Sequence, residues 1–142
     1  MVVKVSEILK AGLDEVWEAI TNPVEMRKWY FENMPDFKAE PGFETSFVMD
    51  SGDRLFTATW RVTDVLPVKQ ISYIWSYAEY DGEGPVKFTL TPQGGNTLLT
   101  VTNEGLESFP KDIPEFKEES CRAGWEYFLK SRLPEYFEKK NN

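Results

Sequence analysis

Apolar and polar residues alternate along several segments of the chain, and this period of two predicts β-strands with one buried face. The alternation is clearest at 54–65, where Phe56, Trp60 and Val62 fall on one side. Val3, Val5 and Ile8 mark the first strand. The predicted strands cover 2–10, 43–50, 54–65, 69–77, 86–90 and 97–104. Turns at 51–53, 81–84 and 93–96, and Pro67, separate the last five, which predicts consecutive hairpins.

Two short helices are predicted between the first strand and the hairpins, because apolar residues there recur at spacings of three and four. The first covers 13–20. The second begins at Asn22 and Pro23, a capping side chain followed by proline at the first helical position, and carries Met26 and Trp29. Residues 30–41 show neither period and are predicted to be irregular.

The segment 112–138 is predicted to form one long helix that the sheet surrounds. Asp112 is its predicted N-cap, with a proline in the first turn and Glu115 completing a capping box. At 100° per residue, one apolar face collects Cys121, Gly124, Trp125, Phe128, Leu129 and Tyr136. Phe137 is predicted to lie opposite, Arg132 interrupts the apolar face, and Pro134 is expected to kink the last turns.

Strands and helices segregated in this order are typical of α+β domains with an antiparallel sheet. The chain has 142 residues, of which 41% are hydrophobic, and we expect one domain spanning 1–142. The long helix is expected to pack across the sheet through Trp125, Phe128 and Leu129.

Charge and residue usage exclude several classes of function. A net charge of −8 argues against nucleic acid as a partner, because phosphate binding needs clustered Lys and Arg. No apolar run approaches the ~18 residues of a membrane span, so no membrane insertion is expected. The single cysteine favours a reducing compartment, and we predict a cytoplasmic protein. The absence of histidine removes the usual general base and zinc ligand, so neither cofactor nor metal is expected.

A series of short motifs carries a family resemblance: DEVWEAI at 14–20, TNP at 21–23, KWY at 28–30, PG at 41–42, NTLLTVT at 96–102, Glu104-Gly105, and Gly124-Trp125 with Leu129. In order and spacing they resemble the START-like, helix-grip superfamily (SRPBCC), and within it the activators of the 90-kDa heat-shock protein ATPase and their bacterial homologues. The resemblance covers about residues 3–138. It implies a curved antiparallel sheet wrapped around a long C-terminal helix. Many such relatives would have histidine at Asn103, so no histidine role is carried over.

The strand and helix faces supply more large aromatic residues than a helix packed on a sheet requires, which predicts an internal cavity. We expect a cavity of at least ~300 Å³ that opens near 29–42. The predicted ligand-binding residues are Trp29, Phe47, Trp60, Tyr73, Trp75, Phe88, Trp125, Phe128 and Arg132. Ordinary core packing is the alternative for the aromatic residues.

Two features of this predicted site allow more than one interpretation. Arg132 could bind a ligand carboxylate or phosphate, or it could turn outward to solvent. Trp29, Tyr30 and Phe31 are consecutive, and three successive aromatic residues cannot all point inward. We therefore expect at least one of them to be exposed at the lip of the cavity, as a gate, a partner surface or a scattered apolar residue.

Three functions remain open, and binding is favoured over catalysis. The leading interpretation is a cytosolic binding protein whose aromatic-lined cavity holds an apolar or aromatic small molecule, lipid-like or polyketide-like. The first alternative is a chaperone partner, as the resemblance to the heat-shock ATPase activators implies. The second is a cofactor-independent cyclase or hydrolase, which without histidine would depend on Tyr, Asp or Glu. Cys121 is expected to pack as a small hydrophobe.

Overall fold

Six antiparallel strands form one sheet in the computed structural model, which describes residues 2–140. The strands are β1 (Val3–Leu9), β2 (Glu44–Asp50), β3 (Leu55–Leu66), β4 (Gln70–Tyr77), β5 (Tyr80–Gln93) and β6 (Asn96–Asn103). Their order across the sheet is β1-β6-β5-β4-β3-β2. The last five strands therefore follow one another as hairpins, as predicted, and the last of them, β6, pairs with β1.

Two short helices follow β1, and a longer helical stretch ends the chain. The helices α1 (Leu13–Thr21) and α2 (Pro23–Trp29) lie where the apolar spacing predicts them. The Asn22 side chain accepts a hydrogen bond from the Val24 N–H at 3.0 Å, which confirms it as the N-cap of α2. The final stretch comprises α3 (Glu118–Glu126), a π-helical segment (Tyr127–Arg132) and α4 (Leu133–Lys140). The α+β helix-grip fold is confirmed.

The long helix begins at Glu118, so its predicted start at Asp112 is wrong. Residues Pro114–Phe116 form a separate 3₁₀ turn instead. Phe116 is buried there, with its ring 5.5 Å from that of Phe56. Burying such a side chain stabilises by ~1.5–3 kcal/mol, against ~1 kcal/mol for a helix cap. Packing of this ring thus outweighs the local capping pattern.

Phe137 is buried, although α-helical spacing predicts it on the opposite face. Trp125, Leu129, Leu133 and Phe137 are all buried, at intervals of four residues. In a regular α-helix such intervals drift by ~40° each. The wider i→i+5 turn of the π-helical segment takes up this drift and keeps all four side chains on the inner face. Pro134, which has no N–H to donate, lies just after that segment.

Residues 81–84 lie within β5, although their two glycines predict a turn, and the chain reverses just before that strand. The glycines instead permit a close approach by the segment that follows β6. A Cβ at Gly82 would lie 2.6 Å from a ring carbon of Phe109, and one at Gly105 would lie 2.5 Å from the Glu83 carbonyl oxygen. Residues 105–109 are therefore docked tightly onto β5.

In β1 the inward residues include Val3, Val5 and Leu9, all buried, whereas Ile8 is 54% exposed. Ile8 lies within β1, as predicted, but its side chain is on the other face from Val3 and Val5. The reason is the strict period of two: an odd separation moves a side chain to the other face of the strand.

Candidate ligand-binding cavity

A cavity of about 220 Å³ lies between the sheet, α3 and the residues 105–117 that join β6 to α3, here called the cover segment. Aromatic rings dominate its wall, contributed by Phe31, Trp75, Tyr77, Phe109, Phe116, Trp125 and Phe128. The other lining residues are Met49, Gly84, Asn103, Leu106, Glu115, Cys121 and Gly124. The wall is therefore mostly apolar, with a few polar groups.

Only some of the predicted ligand-binding residues line this cavity. Trp75, Trp125 and Phe128 do so. The others lie elsewhere: Trp29, Phe47, Trp60, Tyr73 and Phe88 are buried in the core. The expected volume of at least ~300 Å³ is also not reached. Most of the interior that the aromatic residues were expected to leave open is filled by their own rings.

Ring-to-ring contacts account for this filling. Trp60 stacks on Tyr73 at 4.7 Å and on Tyr30 at 5.3 Å, and Tyr30 stacks on Trp29 at 4.5 Å. The hydroxyls of Tyr30 and Tyr73 are 2.8 Å apart, and burial raises the pKa of both. The indole N–H of Trp29 donates to the Ala19 carbonyl at 2.7 Å. These contacts lie within the range of favourable aromatic packing and make this part of the interior a core.

Trp29, Tyr30 and Phe31 are all directed into the domain, so the expectation that one would be exposed is wrong. Trp29 and Tyr30 are 0% and 6% exposed, and Phe31 is half-buried with its ring 5.3 Å from that of Phe128. The backbone explains this arrangement, because Tyr30, the C-cap residue that follows α2, has non-helical dihedral angles. Phe31 thereby reaches the wall of the cavity.

Arg132 does not reach the cavity. Its guanidinium donates to the Lys28 carbonyl at 2.9 Å and to the Trp29 carbonyl at 3.3 Å. These carbonyls belong to the last turn of α2, whose oxygens have no partner within the helix. Arg132 therefore joins the end of α2 to the long helix, and it lies beside a separate charged groove that includes Glu25 and Lys139.

Asn103 holds one wall of the cavity in place. Its side-chain oxygen accepts a hydrogen bond from the indole N–H of Trp125 at 3.2 Å. Its amide group donates to the carbonyls of Pro85 at 3.2 Å and Glu104 at 3.4 Å. These bonds fix the direction of the carboxamide and, through it, the indole of Trp125. The indole N–H of Trp75, by contrast, is fully buried and has no partner of hydrogen-bond geometry.

The ionisable groups of the cavity are mostly uncharged at neutral pH. Burial raises the pKa of the Tyr77 hydroxyl, and the nearby Trp75 indole offsets only part of that rise. Burial likewise raises the pKa of the Cys121 thiol to about 11, which fits the expected role as a small hydrophobe. The arrangement can enclose a neutral molecule, and these two groups are not activated for acid–base or nucleophilic chemistry.

The cover segment contributes cavity residues that the sequence did not identify. Phe109 and Phe116 stack at 4.9 Å and close one side of the space. Ser108 fastens one end through hydrogen bonds with the main chain of Glu83 at 2.9 and 3.0 Å. Near the other end the Glu115 carboxylate binds Arg54 and Ser51. Phe109, in a segment with no predicted helix or strand, was the available signal, since such a segment buries an aromatic side chain only by covering something.

Among residues 2–140, no three His, Cys, Asp or Glu side chains converge as a metal ion would require. No helix within the same range combines the length and the apolar character needed to cross a membrane.

Comparison with known proteins identifies relatives over nearly the whole chain. The family model described as activator of Hsp90 ATPase homolog 1-like protein matches residues 10–138. A comparison with curated protein sequences gave no significant match.

Solved structures share the fold. Protein CV1439 from Chromobacterium violaceum is 22% identical, with a TM-score of 0.76 and 94% of each chain covered. Protein MLL2253 from Mesorhizobium loti is 26% identical, with a TM-score of 0.76 and 98% of each chain covered. DynU16, a protein of the dynemicin biosynthetic locus, is 29% identical with a TM-score of 0.74. The alignment with DynU16 covers 98% of this chain and 48% of DynU16.

Proposed function

The chain belongs to the family of activator of Hsp90 ATPase homolog 1-like proteins, and we propose that this member binds a small apolar or aromatic molecule in the cavity beside α3. Buried aromatic residues in a fold of this family support a small-molecule binding domain. The observation that carries the proposal is the position of Gly124. We place this function in the cytoplasm, as the single cysteine favours.

Gly124 occupies the interior of α3 and lines the cavity. Glycine within a helix is less favourable than alanine by ~0.8–1.0 kcal/mol. A Cβ built at Gly124 would meet nothing within 4 Å, so packing does not require glycine here. Its backbone lies in the helical region, so conformation does not require it either. The absence of a side chain at Gly124 leaves space beside Trp125 and Phe128, and a ligand site needs such space.

The size of the cavity limits the ligand. An apolar cavity of ~150 Å³ is known to hold benzene, whereas sites for drug-sized molecules begin at ~300 Å³. At about 220 Å³, this cavity has room for one or two rings. That favours a compact aromatic molecule over a lipid-like chain. The similarity to DynU16, a protein of a biosynthetic locus, also fits a small-molecule ligand.

Gly124→Leu tests the proposal, because a leucine side chain would enter the open space. Calorimetric titration with 2-naphthol as the probe is expected to show binding to the wild type. Binding to Gly124→Leu should be weaker by at least about tenfold, because the inserted side chain occupies the site. Thermal unfolding should show no loss of stability in this variant, because leucine is a better helix former than glycine and its Cβ would meet nothing within 4 Å.

Glu126→Leu is the matched control, because it adds the same side chain to the exposed face of α3. Its affinity for 2-naphthol should equal that of the wild type. Undiminished binding by Gly124→Leu would show that the probe does not occupy this cavity. The chaperone partnership that the family description supports would then become the leading function.

A further inference from the structure

We propose that the ligand is an uncharged one- or two-ring compound carrying a hydroxyl or carbonyl oxygen that hydrogen-bonds to Tyr77, and that carboxylates are excluded. This inference rests on the proposed function, because it names the class of molecule that the same cavity takes. It stands on two observations: the charge of the lining and the free hydrogen-bonding group within it.

The lining offers no cation to an acidic ligand. Among residues 2–140, no lysine or arginine lines the cavity, and Glu115 is the only lining residue with a charged side chain. Its carboxylate is negative and already accepts hydrogen bonds from Arg54 and Ser51. Arg132 is held against α2, where it borders another groove. A ligand carboxylate would therefore lose its hydration without gaining an ion pair, which is a large cost in an apolar site.

Within the part of the chain that the structure describes, Tyr77 carries the only hydroxyl group in the lining. Its ring is fixed between aromatic neighbours, 5.7 Å from the ring of Phe109 and 5.2 Å from that of Phe116. Within the described residues, the Tyr77 hydroxyl makes no hydrogen bond of standard geometry to another group, although Trp75 lies close by. A phenol hydroxyl can donate and accept, so it suits a hydroxyl or carbonyl oxygen on a neutral ligand.

The other polar groups of the wall are less suited to this role. The carboxamide of Asn103 is engaged by Trp125, Pro85 and Glu104. The indole nitrogen of Trp75 is enclosed by protein and has no exposed surface for a ligand atom to contact. The thiol of Cys121 lies 3.8 Å from the Glu115 carbonyl oxygen and is a weak donor. Tyr77 is therefore the group that distinguishes an oxygen-bearing ring from a plain hydrocarbon.

Calorimetric titration with 2-naphthol, naphthalene and 2-naphthoate tests both parts of the inference. The wild type should bind 2-naphthol at least about tenfold more tightly than 2-naphthoate, because the anion is buried without a partner. Tyr77→Phe should weaken 2-naphthol binding by about three- to tenfold, the loss of one hydrogen bond, and leave naphthalene unchanged. Tyr127→Phe removes a hydroxyl from an exposed tyrosine and should leave all three affinities unchanged.

A second readout uses Cys121, the only cysteine of the chain, which lines the cavity. A bound ring should slow its alkylation by iodoacetamide, followed by mass spectrometry. 2-Naphthol should protect the thiol at concentrations where 2-naphthoate does not.

These outcomes distinguish an error in the ligand class from an error in the proposed function. Suppose that 2-naphthoate and 2-naphthol bind with equal affinity and protect Cys121 equally, and that Gly124→Leu abolishes binding and protection. This result would overturn the ligand class and leave the proposed function standing. Unchanged 2-naphthol binding by Tyr77→Phe would overturn the role of Tyr77. Absence of binding and protection by all three probes would overturn the proposed function and this inference together.

Discussion

Gly124→Ala is expected to stabilise the protein, and the size of the effect follows from the structure. Alanine is more favourable than glycine in a helix interior by ~0.8–1.0 kcal/mol. The added methyl group meets nothing within 4 Å, so no clash offsets this gain. We expect an increase of about 1 kcal/mol in the free energy of unfolding.

Urea denaturation followed by fluorescence measures this change, with the midpoint rising at constant slope. The thermal midpoint should rise by roughly 3–5 °C. Ala123→Gly is the matched control, because Ala123 is the exposed neighbour in α3 and the reverse substitution should cost about the same 1 kcal/mol. A loss of stability in Gly124→Ala would refute the reasoning, since it would mean that the space beside the glycine is not open.

Two further predictions concern the core and the response to acid. Trp125→Ala should lower the free energy of unfolding by about 3–5 kcal/mol, because the indole is 5% exposed and packs across the sheet; a loss below ~1 kcal/mol in urea denaturation would place Trp125 outside the core. The hydrogen bond from the Tyr136 hydroxyl lowers the pKa of the Glu25 carboxyl in the folded protein. The stability that this bond contributes is therefore complete above the unfolded-state pKa of about 4.3, and it is lost as the pH falls through the lower pKa of the folded state. The stability gap between wild type and Tyr136→Phe should therefore narrow in acid, and a gap independent of pH in urea titrations would contradict this assignment.

The strands and the short helices were predictable because their signals are local. In β3 the alternation places Phe56, Ala58, Trp60 and Val62 inside, and all four are buried. The Asn22-Pro23 pair fixes the start of α2, because the Asn22 side chain accepts a hydrogen bond from the N–H of Val24, only two residues away. A period of two or a cap depends on neighbouring residues alone, so the sequence contains the whole of the relevant interaction.

The errors arose where distant residues decide the local structure. The capping pattern at Asp112 is intact in the sequence, yet Phe116 packs under β3 and the helix starts later. The glycines at 82 and 84 predict a turn from the local sequence alone. They are required instead because Phe109, more than 20 residues further along the chain, occupies the space that a Cβ at either position would need. Tertiary contacts of this kind outweigh a local preference of about 1 kcal/mol.

The candidate site was predictable only in part, for the same physical reason. An excess of inward aromatic residues predicts unfilled space, but large flat rings also fill space well when they stack. Trp60 and Tyr73, at 4.7 Å, are the clearest case. The open volume lies instead where a side chain is missing, at Gly124, and where the cover segment bridges the sheet and α3. A glycine in the middle of a helix lowers helix stability, and at Gly124 no close contact compensates for this loss. Such a glycine on an aromatic face was thus a better indicator of the cavity than the aromatic residues themselves.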